Sequence, residues 1–313
     1  MELVDTLPND IFSLDSYLEQ DMAIEKISYS LLPENYFSNL KNHLTAKGLQ
    51  LLSEQAKKIP VPPRFGEIID DNHYLQTLEF VLNSTIETKH RCLFFLKNIL
   101  PRLQSYDALL DVGVGDGQLT NLISRNFKLV TAMETNKVAL DNLGAKKKII
   151  KKNATLHKIH GSILNTKLPD NHYDLGVLSH ILYYIDQSKW LETIENAYKT
   201  IKPGGFIAIV LSGDGRGKAD LIKYFGGNPL GIDNLIKDCS NKFNTDIEVF
   251  ESNETFYAKN MSSMLHIAGF FLRDSEATAT HKELEAYLNL HHRKHKNKFE
   301  MTSQQKFILI HKT

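Results

Sequence analysis

Three glycines and two acidic residues lie close together in one short stretch of this sequence. In the segment LLDVGVGDG, Asp111 precedes Gly113, Gly115 and Gly117, and Glu134 ends the next apolar run. Glycine adopts backbone angles that other residues resist, and its missing side chain lets a ligand reach the main chain. Helix amides beyond such a turn favour an anion, and an acid after the second strand binds a ribose diol. The stretch predicts a nucleotide-like cofactor site.

The segments around these residues follow the order strand, turn, helix, strand. Apolar runs at 108–112 and 129–133 predict the two strands, and Leu119, Leu122 and Ile123 have helical spacing between them. The spacing G-x-G-x-G differs from the dinucleotide fingerprint G-x-G-x-x-G, because the third glycine comes one residue early. This spacing, with an acid before the first glycine, favours a cofactor other than nicotinamide, although a nicotinamide dehydrogenase stays an alternative.

Composition limits the partners of the chain. Of its 313 residues, 37 are Lys or Arg and 37 are Asp or Glu, so the formal net charge is zero and gives no electrostatic case for nucleic acid or an anionic membrane. No apolar run approaches the roughly 20 residues of a membrane helix. Cys92 and Cys239 form no CxxC pair, which predicts no metal site and a reducing, cytoplasmic location. The opening MELVDTLPND does not resemble a secretory signal.

The first 66 residues differ from the rest. They carry apolar residues at helical spacing without strand alternation, and the proline-rich run IPVPPRFG at 59–66 predicts a linker. We therefore predict a helical N-terminal extension at 1–66 and a separate domain at 67–313. The extension could be a helical cap, a dimer surface, a partner-binding arm or structural padding, and the oligomeric state stays open.

Residues 71–100 predict two helices before the first strand. Tyr74 lies on the apolar face of the first helix, and the second starts near Ser84 with Glu87 in its first turn. A glutamate there complements the helix dipole, which is a sufficient structural explanation. A functional role for Glu87 needs a further argument, given below.

Polar residues follow the third and fourth predicted strands. Ser162 comes after the strand at 156–159, and Ser179, His180, Tyr183 and Tyr184 come after the strand at 173–178. Ligands of open α/β sheets bind beyond the carboxyl ends of the strands. We therefore expect these side chains at the ligand site, with Ser162 and Ser179 on the cofactor side. A helix at 188–201, the sequence KPGG and a strand at 206–211 follow.

The segment LLDVGVGDG, together with a helix that ends in KPGG before the fifth strand, resembles the class I S-adenosylmethionine-dependent methyltransferases. The resemblance implies an α/β, Rossmann-like fold, a mostly parallel sheet with an antiparallel last strand. It implies S-adenosylmethionine as cofactor, with its sugar held by Glu134. The seven strands are expected at 108–112, 129–133, 156–159, 173–178, 206–211, 246–251 and 305–311, and the cofactor residues are Asp111, Gly113, Gly115, Gly117, Glu134, Ser162 and Ser179.

Over about residues 70–313, the chain resembles the histamine N-methyltransferase family, less closely at 230–300. The segments are HYLQTLEFVLNSTIETKH, SHILYYI, FIAIVLSGDGRGKADLIKYFG and KFILIHK. The resemblance implies that Glu87 contacts the substrate amine and that Tyr74 and Tyr184 line its pocket. His180 stands where the family has a glutamine and Ser303 where it has an asparagine. Both amides are replaced, so whether histamine itself is accepted stays open.

Together these features predict S-adenosylmethionine-dependent N-methylation of a small amine or heteroaromatic compound. We expect Glu87 to pair with the cationic or hydrogen-bonding end of the substrate and His180 to contact the end that is methylated, where it can take a proton. The substrate site would also contain Tyr74, Tyr183, Tyr184 and Ser303.

Three other functions stay open from the sequence. Small-molecule O-methylation would use the same fold, and a cofactor-binding interaction protein would keep the glycine turn without turnover. A nucleic-acid methyltransferase has local support from the basic run HHRKHKNK at 291–298, which we interpret as an exposed loop. The basic run at 146–152 has the same interpretation. We expect a small-molecule substrate and neither nucleic acid nor membrane as a partner.

Overall fold

The computed structural model describes residues 46–85, 87–115, 117–143, 154–228, 231–245, 247–273, 275, 277–293 and 298–313. The helices predicted before residue 46 and the basic run at 146–152 lie outside the described residues, as does the middle of the run at 291–298.

Helices and strands alternate through most of the described chain. The strands are β1 Ala108–Val112, β2 Leu129–Glu134, β3 Thr155–His160, β4 Tyr173–Ser179, β5 Ile201–Ser212, β6 Ile247–Ala258 and β7 Phe299–His311. The helices are α1 Ala46–Ala56, α2 Asp71–Asn83, α3 Glu87–Phe94, α4 Gln118–Ile123, α5 Lys137–Asn142, α6 Trp190–Thr200, α7 Arg216–Tyr224, α8 Ile232–Phe243, α9 Met261–Arg273 and α10 His281–His291.

These seven strands form one sheet in the order β3-β2-β1-β4-β5-β7-β6. The neighbouring strands from β3 to β5 pair in parallel, whereas β7 lies antiparallel between β5 and β6. The predicted fold class is therefore confirmed. The order reverses between β1 and β4, the point at which open α/β sheets bind their ligands. Strands β1 and β4 are buried almost throughout, as their continuous apolar sequences require.

Three strands extend beyond their predicted bounds. Strand β5 begins at Ile201, so the KPGG sequence lies inside it, and the β4 register shifts between Tyr173 and Leu175 to accommodate the irregularity. Gly205 is necessary there, because a Cβ atom would lie 2.7 Å from the carbonyl oxygen of Asp174. Strands β6 and β7 pair over twelve residues each. Polar and apolar residues alternate along part of both strands, so no continuous apolar run of this length marks them in the sequence.

Polar side chains mark the starts of two helices, and the helix predicted at 188–201 begins at Trp190. Asn136 precedes α5 and its side chain accepts a hydrogen bond from the backbone of Ala139 at 3.0 Å. Residues Gln187–Lys189 form a 3₁₀ turn before α6, which Asp186 caps.

The described part of the predicted extension packs against the rest of the chain. Helix α1 contacts α2, α9 and β6. Its Leu52 and Ala56, with Ile59 and Phe65 of the linker, are buried in one hydrophobic cluster with α9. The division at residues 66 and 67 stays a prediction. Among the described residues, no helix has the length and apolar character needed to cross a bilayer.

Candidate functional site

A cleft of about 500 Å³ opens at the carboxyl ends of the parallel strands. Its lining residues come from β1, β2, β4, β5 and β6, from helices α2, α3, α4, α7 and α9, and from the loops beside them. Gly117 and Ser303, two of the predicted site residues, are not among its lining residues. The predicted residues that do line it are Tyr74, Glu87, Asp111, Gly113, Gly115, Glu134, Ser162, Ser179, His180, Tyr183 and Tyr184.

The glycine turn forms one wall of the cleft. Gly113 has φ 76°, and a Cβ atom there would lie 2.1 Å from the side chain of Ile181. Gly115 has φ 54° but faces open space, with Leu78 3.7 Å from a Cβ position. Gly117, at φ 76°, sits immediately before α4. Gly113 and Gly117 therefore shape the turn, while Gly115 presents bare main chain to the cleft.

Glu134 connects the glycine turn to the end of β2. Its carboxylate accepts hydrogen bonds from the backbone N–H groups of Gly115 at 3.0 Å and Asn136 at 2.9 Å. These two amides fix the carboxylate at the rim of the cleft, where the sequence predicted an acid for a sugar diol. Ser162, on the next loop, accepts a hydrogen bond from the backbone of Leu164 at 3.3 Å through its hydroxyl oxygen.

Asp111 is a buried carboxyl group in the same region, with only 2% of its surface exposed. Burial, with the nearby charge of Glu134, raises its pKa to about 6, although a hydrogen bond from Thr120 Oγ1 at 2.6 Å and the charge of Arg91 act in the opposite direction. Asp111 therefore carries a charge that the apo-protein accommodates poorly and that a cationic ligand group would stabilise.

Arg91 is a cleft residue that the sequence analysis missed. It is 5% exposed, and its Nη1 lies 3.9 Å from Glu87 Oε1, while Nη2 donates to Thr88 at 3.4 Å. Its Nε has no hydrogen-bond partner among the described residues. The available signal was its position four residues after Glu87 on α3, which places both side chains on one face. A buried guanidinium with an unused donor suits a bound carboxylate.

Glu87 and His180 meet on the opposite side of the cleft. His180 Nε2 lies 3.0 Å from Glu87 Oε1, and Gln305 Nε2 donates to the same oxygen at 2.8 Å. The three residues come from α3, the loop after β4 and the last strand. The fold thus assembles, from distant segments, the pair that the sequence analysis assigned to the substrate.

His180 adopts an unusual backbone conformation. Its φ is 58°, in the left-handed region that residues with side chains seldom occupy, and its N–H donates to Val210 at 2.8 Å. Its Nδ1 lies 3.1 Å from Tyr183 Oη, which also accepts a hydrogen bond from the backbone of Ser212. A strained residue held on several sides is a feature of functional sites.

Glu87 and His180 differ in their charge at neutral pH. Burial would raise the pKa of Glu87, but the hydrogen bond and charge of His180, with Arg91 and Lys218, lower it to about 2. Burial lowers the pKa of His180, against the opposing effect of Glu87. An ionised carboxylate can only accept, so neutral His180 donates from Nε2 and its Nδ1 accepts from the Tyr183 hydroxyl.

The predicted aromatic lining is present but already holds a cation. The rings of Tyr74 and Tyr184 are 6.2 Å apart, and the guanidinium of Arg273 lies 4.5 Å from the centre of each. The ring of Phe270 stacks on Tyr74 at 6.0 Å. We expected these tyrosines to suit a substrate cation; in the structure an arginine of the chain itself makes that contact.

Lys218 is a second cleft cation that the sequence analysis missed. It lies in the first turn of α7, is 4% exposed, and donates to Ser212 Oγ at 2.8 Å. Its ammonium group lies 4.6 Å from the ring centre of Phe271 and 5.2 Å from that of Tyr183. Its only signal in the sequence was a lysine shortly after the fifth strand, in the segment SGDGRGK.

Ser303 lies two residues from the position that reaches the Glu87–His180 pair. Its partner across the sheet is Glu254 of β6, and its hydroxyl contacts the carbonyl oxygen of Gln304 at 3.4 Å. Gln305, on the same face of β7, supplies the amide that contacts Glu87. The substrate role of Ser303 stays a prediction, and Gln305 is the stronger candidate by position.

Comparison with known proteins identifies the central part of the chain. Residues 110–209, from β1 into β5, match a family model described as a methyltransferase domain. This part of the chain is therefore similar to methyltransferase domains. The structure of the YcgJ protein of Bacillus subtilis has the same fold, with a TM-score of 0.50 and 10% identity over 71% of this chain and 97% of that one. The N-methyltransferase NodS of Bradyrhizobium japonicum gives a TM-score of 0.42 and 16% identity over 70% and 86%.

The curated relatives match about a third of the chain. An uncharacterized methyltransferase of Mycobacterium bovis is 28% identical over 102 residues, which are 33% of this chain and 49% of that protein. A Mycobacterium tuberculosis protein matches to the same extent. The chain thus spans about half the length of the curated relatives it matches. These matches do not bear on the narrower resemblance to histamine N-methyltransferase, which stays a prediction.

The cofactor of such a domain is S-adenosylmethionine, and the cleft residues fit it. Gly115 offers bare main chain, Glu134 offers a carboxylate at the end of β2, and the unused Nε donor of Arg91 can take a carboxylate. The buried Asp111 complements a positive charge.

Proposed function

We propose that this protein transfers a methyl group from S-adenosylmethionine to a nitrogen atom of a small molecule. The observation that carries the proposal is the Glu87–His180 pair, which lies in the same cleft as the glycine turn and Glu134. An ionised carboxylate and a neutral imidazole together can orient a nitrogen compound and accept its proton.

In this proposal, Glu134, Arg91 and the main chain at Gly115 hold the cofactor, which supplies a methyl group already activated on a sulfonium. The protein then needs to orient the acceptor and to exclude water. Placing two reactants in a near-attack geometry is worth roughly 7–11 kcal/mol. The walls of the acceptor half are largely aromatic, formed by Tyr74, Phe256, Phe270 and Phe271, and they favour a small, flat acceptor.

Glu87 and His180 have separate roles in the proposal. Glu87 keeps its negative charge and binds an N–H or ammonium group of the acceptor. His180 is neutral, is held at φ 58° and lies at the nitrogen that is methylated. Because its Nδ1 accepts from the Tyr183 hydroxyl, the substrate proton passes to Tyr183 Oη as Tyr183 gives its own proton to Nδ1. The hydroxyl of Tyr183 fixes the imidazole tautomer through Nδ1. The resemblance to histamine N-methyltransferase supports nitrogen as the acceptor atom.

The cellular setting is part of the proposal. Cys92 and Cys239 are both buried and carry thiols rather than forming a disulfide. Thiols in this state suit a reducing compartment, so we propose a cytoplasmic location.

Two measurements test this function in order. Calorimetry with S-adenosylmethionine and S-adenosylhomocysteine measures cofactor binding, and we expect Glu134→Ala to weaken both. Mass spectrometry of amines and heteroaromatic compounds incubated with labelled cofactor then detects methylated products, and NMR assigns the methylated atom. Failure to bind either nucleoside disproves the cofactor site. Binding without turnover supports an interaction protein, and a product methylated on oxygen disproves the assignment to nitrogen.

A further inference from the structure

The acceptor half of the cleft contains both a carboxylate, Glu87, and a buried cation, Lys218. A second buried cation, Arg91, also lines the cleft and lies 3.9 Å from Glu87. Lys218 is close enough that its charge acts on both Glu87 and His180. One of these cations, Arg91, also lies near Asp111 on the cofactor side. Of these two cations, Lys218 is the one that lies on the acceptor side alone.

The negative charge of Glu87 is already shared among groups of the chain. Its Oε1 accepts from His180 and Gln305, and Arg91 lies 3.9 Å away. A substrate cation would compete with these donors. The gap between Tyr74 and Tyr184, the other place for a cation, holds the guanidinium of Arg273. The Glu87 carboxylate and the Tyr74–Tyr184 pair, which could each bind a substrate cation, are therefore both already in contact with groups of the chain.

Lys218 is placed to bind an anion. Its ammonium group lies between Ser212 Oγ and the rings of Phe271 and Tyr183, all three of which line the cleft. Burial lowers the local dielectric, which strengthens an attraction to a substrate anion. A charge-assisted hydrogen bond from an ammonium to a carboxylate is about twice as strong as a neutral one.

Lys218 and His180 are also joined through a short chain of contacts. Lys218 donates to the hydroxyl of Ser212, whose backbone N–H donates to Tyr183 Oη, which in turn contacts His180 Nδ1. A single small molecule could therefore place an anionic group at Lys218 and a nitrogen atom at His180.

We propose that the methyl acceptor carries a carboxylate, bound by Lys218, in addition to the nitrogen that lies at Glu87 and His180. This inference rests on the proposed methyl transfer and narrows its substrate class to compounds with both groups. Lys218 is then the residue that determines specificity for the acid over the corresponding amine.

The test uses pairs of compounds that differ by one carboxylate. L-Histidine and histamine, L-tryptophan and tryptamine, and L-tyrosine and tyramine are titrated into the full chain saturated with S-adenosylhomocysteine. We expect the acid of at least one pair to bind about tenfold or more tightly than its amine. We also expect Lys218→Met to reduce that ratio to within about threefold, and Lys218→Arg to retain part of it.

Lys223→Met is the matched control, because Lys223 is an exposed lysine on the same helix and should leave the ratio unchanged. Unaltered affinity for S-adenosylhomocysteine in Lys218→Met shows that the variant is folded. Tighter binding of the amine in every pair, or no measurable binding of any acid, overturns the proposal. So does an equal loss for acid and amine in Lys218→Met. Failure to bind S-adenosylhomocysteine is the separate result that would overturn the methyltransferase function itself.

Discussion

Glu87 and Glu254 are both buried and each accepts a hydrogen bond from a histidine, yet only Glu87 lines the cleft. Glu254 lies 2.9 Å from His90 Nδ1, and Ser252 donates to it at 2.7 Å. The chemistry of the two pairs is the same, so residue type and burial alone do not distinguish a catalytic pair from a structural one.

The surroundings of the two histidines differ. His90 lies within α3, in ordinary helical conformation, and 36% of its side chain is exposed. His180 follows β4 with φ 58° and is held between Glu87 and Tyr183. The site at the strand ends thus combines backbone strain, charged neighbours and an open cleft, whereas Glu254 joins α3 to β6 in the way that many buried ion pairs join elements.

The largest expected difference between the pairs is in the glutamates. We expect Glu87→Gln to lower kcat/KM by about 100-fold or more, because the orientation of the acceptor and of His180 depends on an ionised carboxylate. Glu254→Gln should leave kcat/KM within about threefold and lower the free energy of unfolding by about 1–3 kcal/mol. Steady-state kinetics and urea denaturation of both variants measure this. A loss of activity in Glu254→Gln equal to that in Glu87→Gln would contradict the comparison.

The histidines should differ nearly as much. His180→Gln is expected to lower kcat by about 100-fold, a typical contribution of a general base. The pKa of His180 is lowered from 6.5 by burial, so the wild-type rate should fall only below pH 6.5, as the imidazole becomes protonated. His180→Gln should lack that decline, whereas His90→Gln should keep it. A pH–rate profile unchanged by His180→Gln would disprove the role of base.

Asp111, a third buried carboxyl, has the opposite pKa shift to Glu87. Its pKa is raised to about 6 by burial, so its contribution to stability is present below its unfolded value of 3.8 and is lost as the pH rises through about 6. Asp111→Asn should therefore stabilise the apo-protein by about 3 kcal/mol at pH 8 and by about half as much at pH 5. Its affinity for S-adenosylmethionine should fall about tenfold. Denaturation at both pH values and calorimetry measure this, and equal stabilisation at pH 5 and pH 8 would contradict the assignment.

The smallest expected effects separate two neighbouring residues of β7. Gln305 donates to Glu87, and Gln305→Ala should lower kcat/KM by about tenfold. Ser303 lies across from Glu254, and Ser303→Ala should change kcat/KM by less than twofold and stability by less than about 0.5 kcal/mol. Kinetics of both variants decide which of the two residues contacts the substrate. A larger loss in Ser303→Ala would restore the original prediction.

The cofactor half was predictable because its residues are local in sequence. Gly113, Gly115 and Glu134 lie within one strand-turn-helix-strand unit, and the backbone angles that require glycine leave a direct trace in the residue types. The mostly parallel sheet and its antiparallel last strand followed from apolar runs and from the resemblance, whereas the order of the strands came from the structure.

The acceptor half was only partly predictable because its contacts depend on register. Glu87 and His180 were found through family positions, but Arg91, Lys218 and Arg273 come from helix faces whose rotation the sequence does not fix. The substrate role of Ser303 stays a prediction; Gln305 lies two residues further along β7, on the same side of the sheet, and donates to Glu87.

The insertion of β7 between β5 and β6 has a consequence for the order in which the protein is made. A ribosome would release the glycine turn and the parallel strands long before residue 305, which contacts a glutamate 218 positions earlier. Until then the nascent sheet would expose the unpaired edge of β5, a surface that attracts foreign strands. Arrival of the final strand would at once close that edge and complete the pocket for the acceptor, so a chain stalled before it could hold a nucleoside yet methylate nothing.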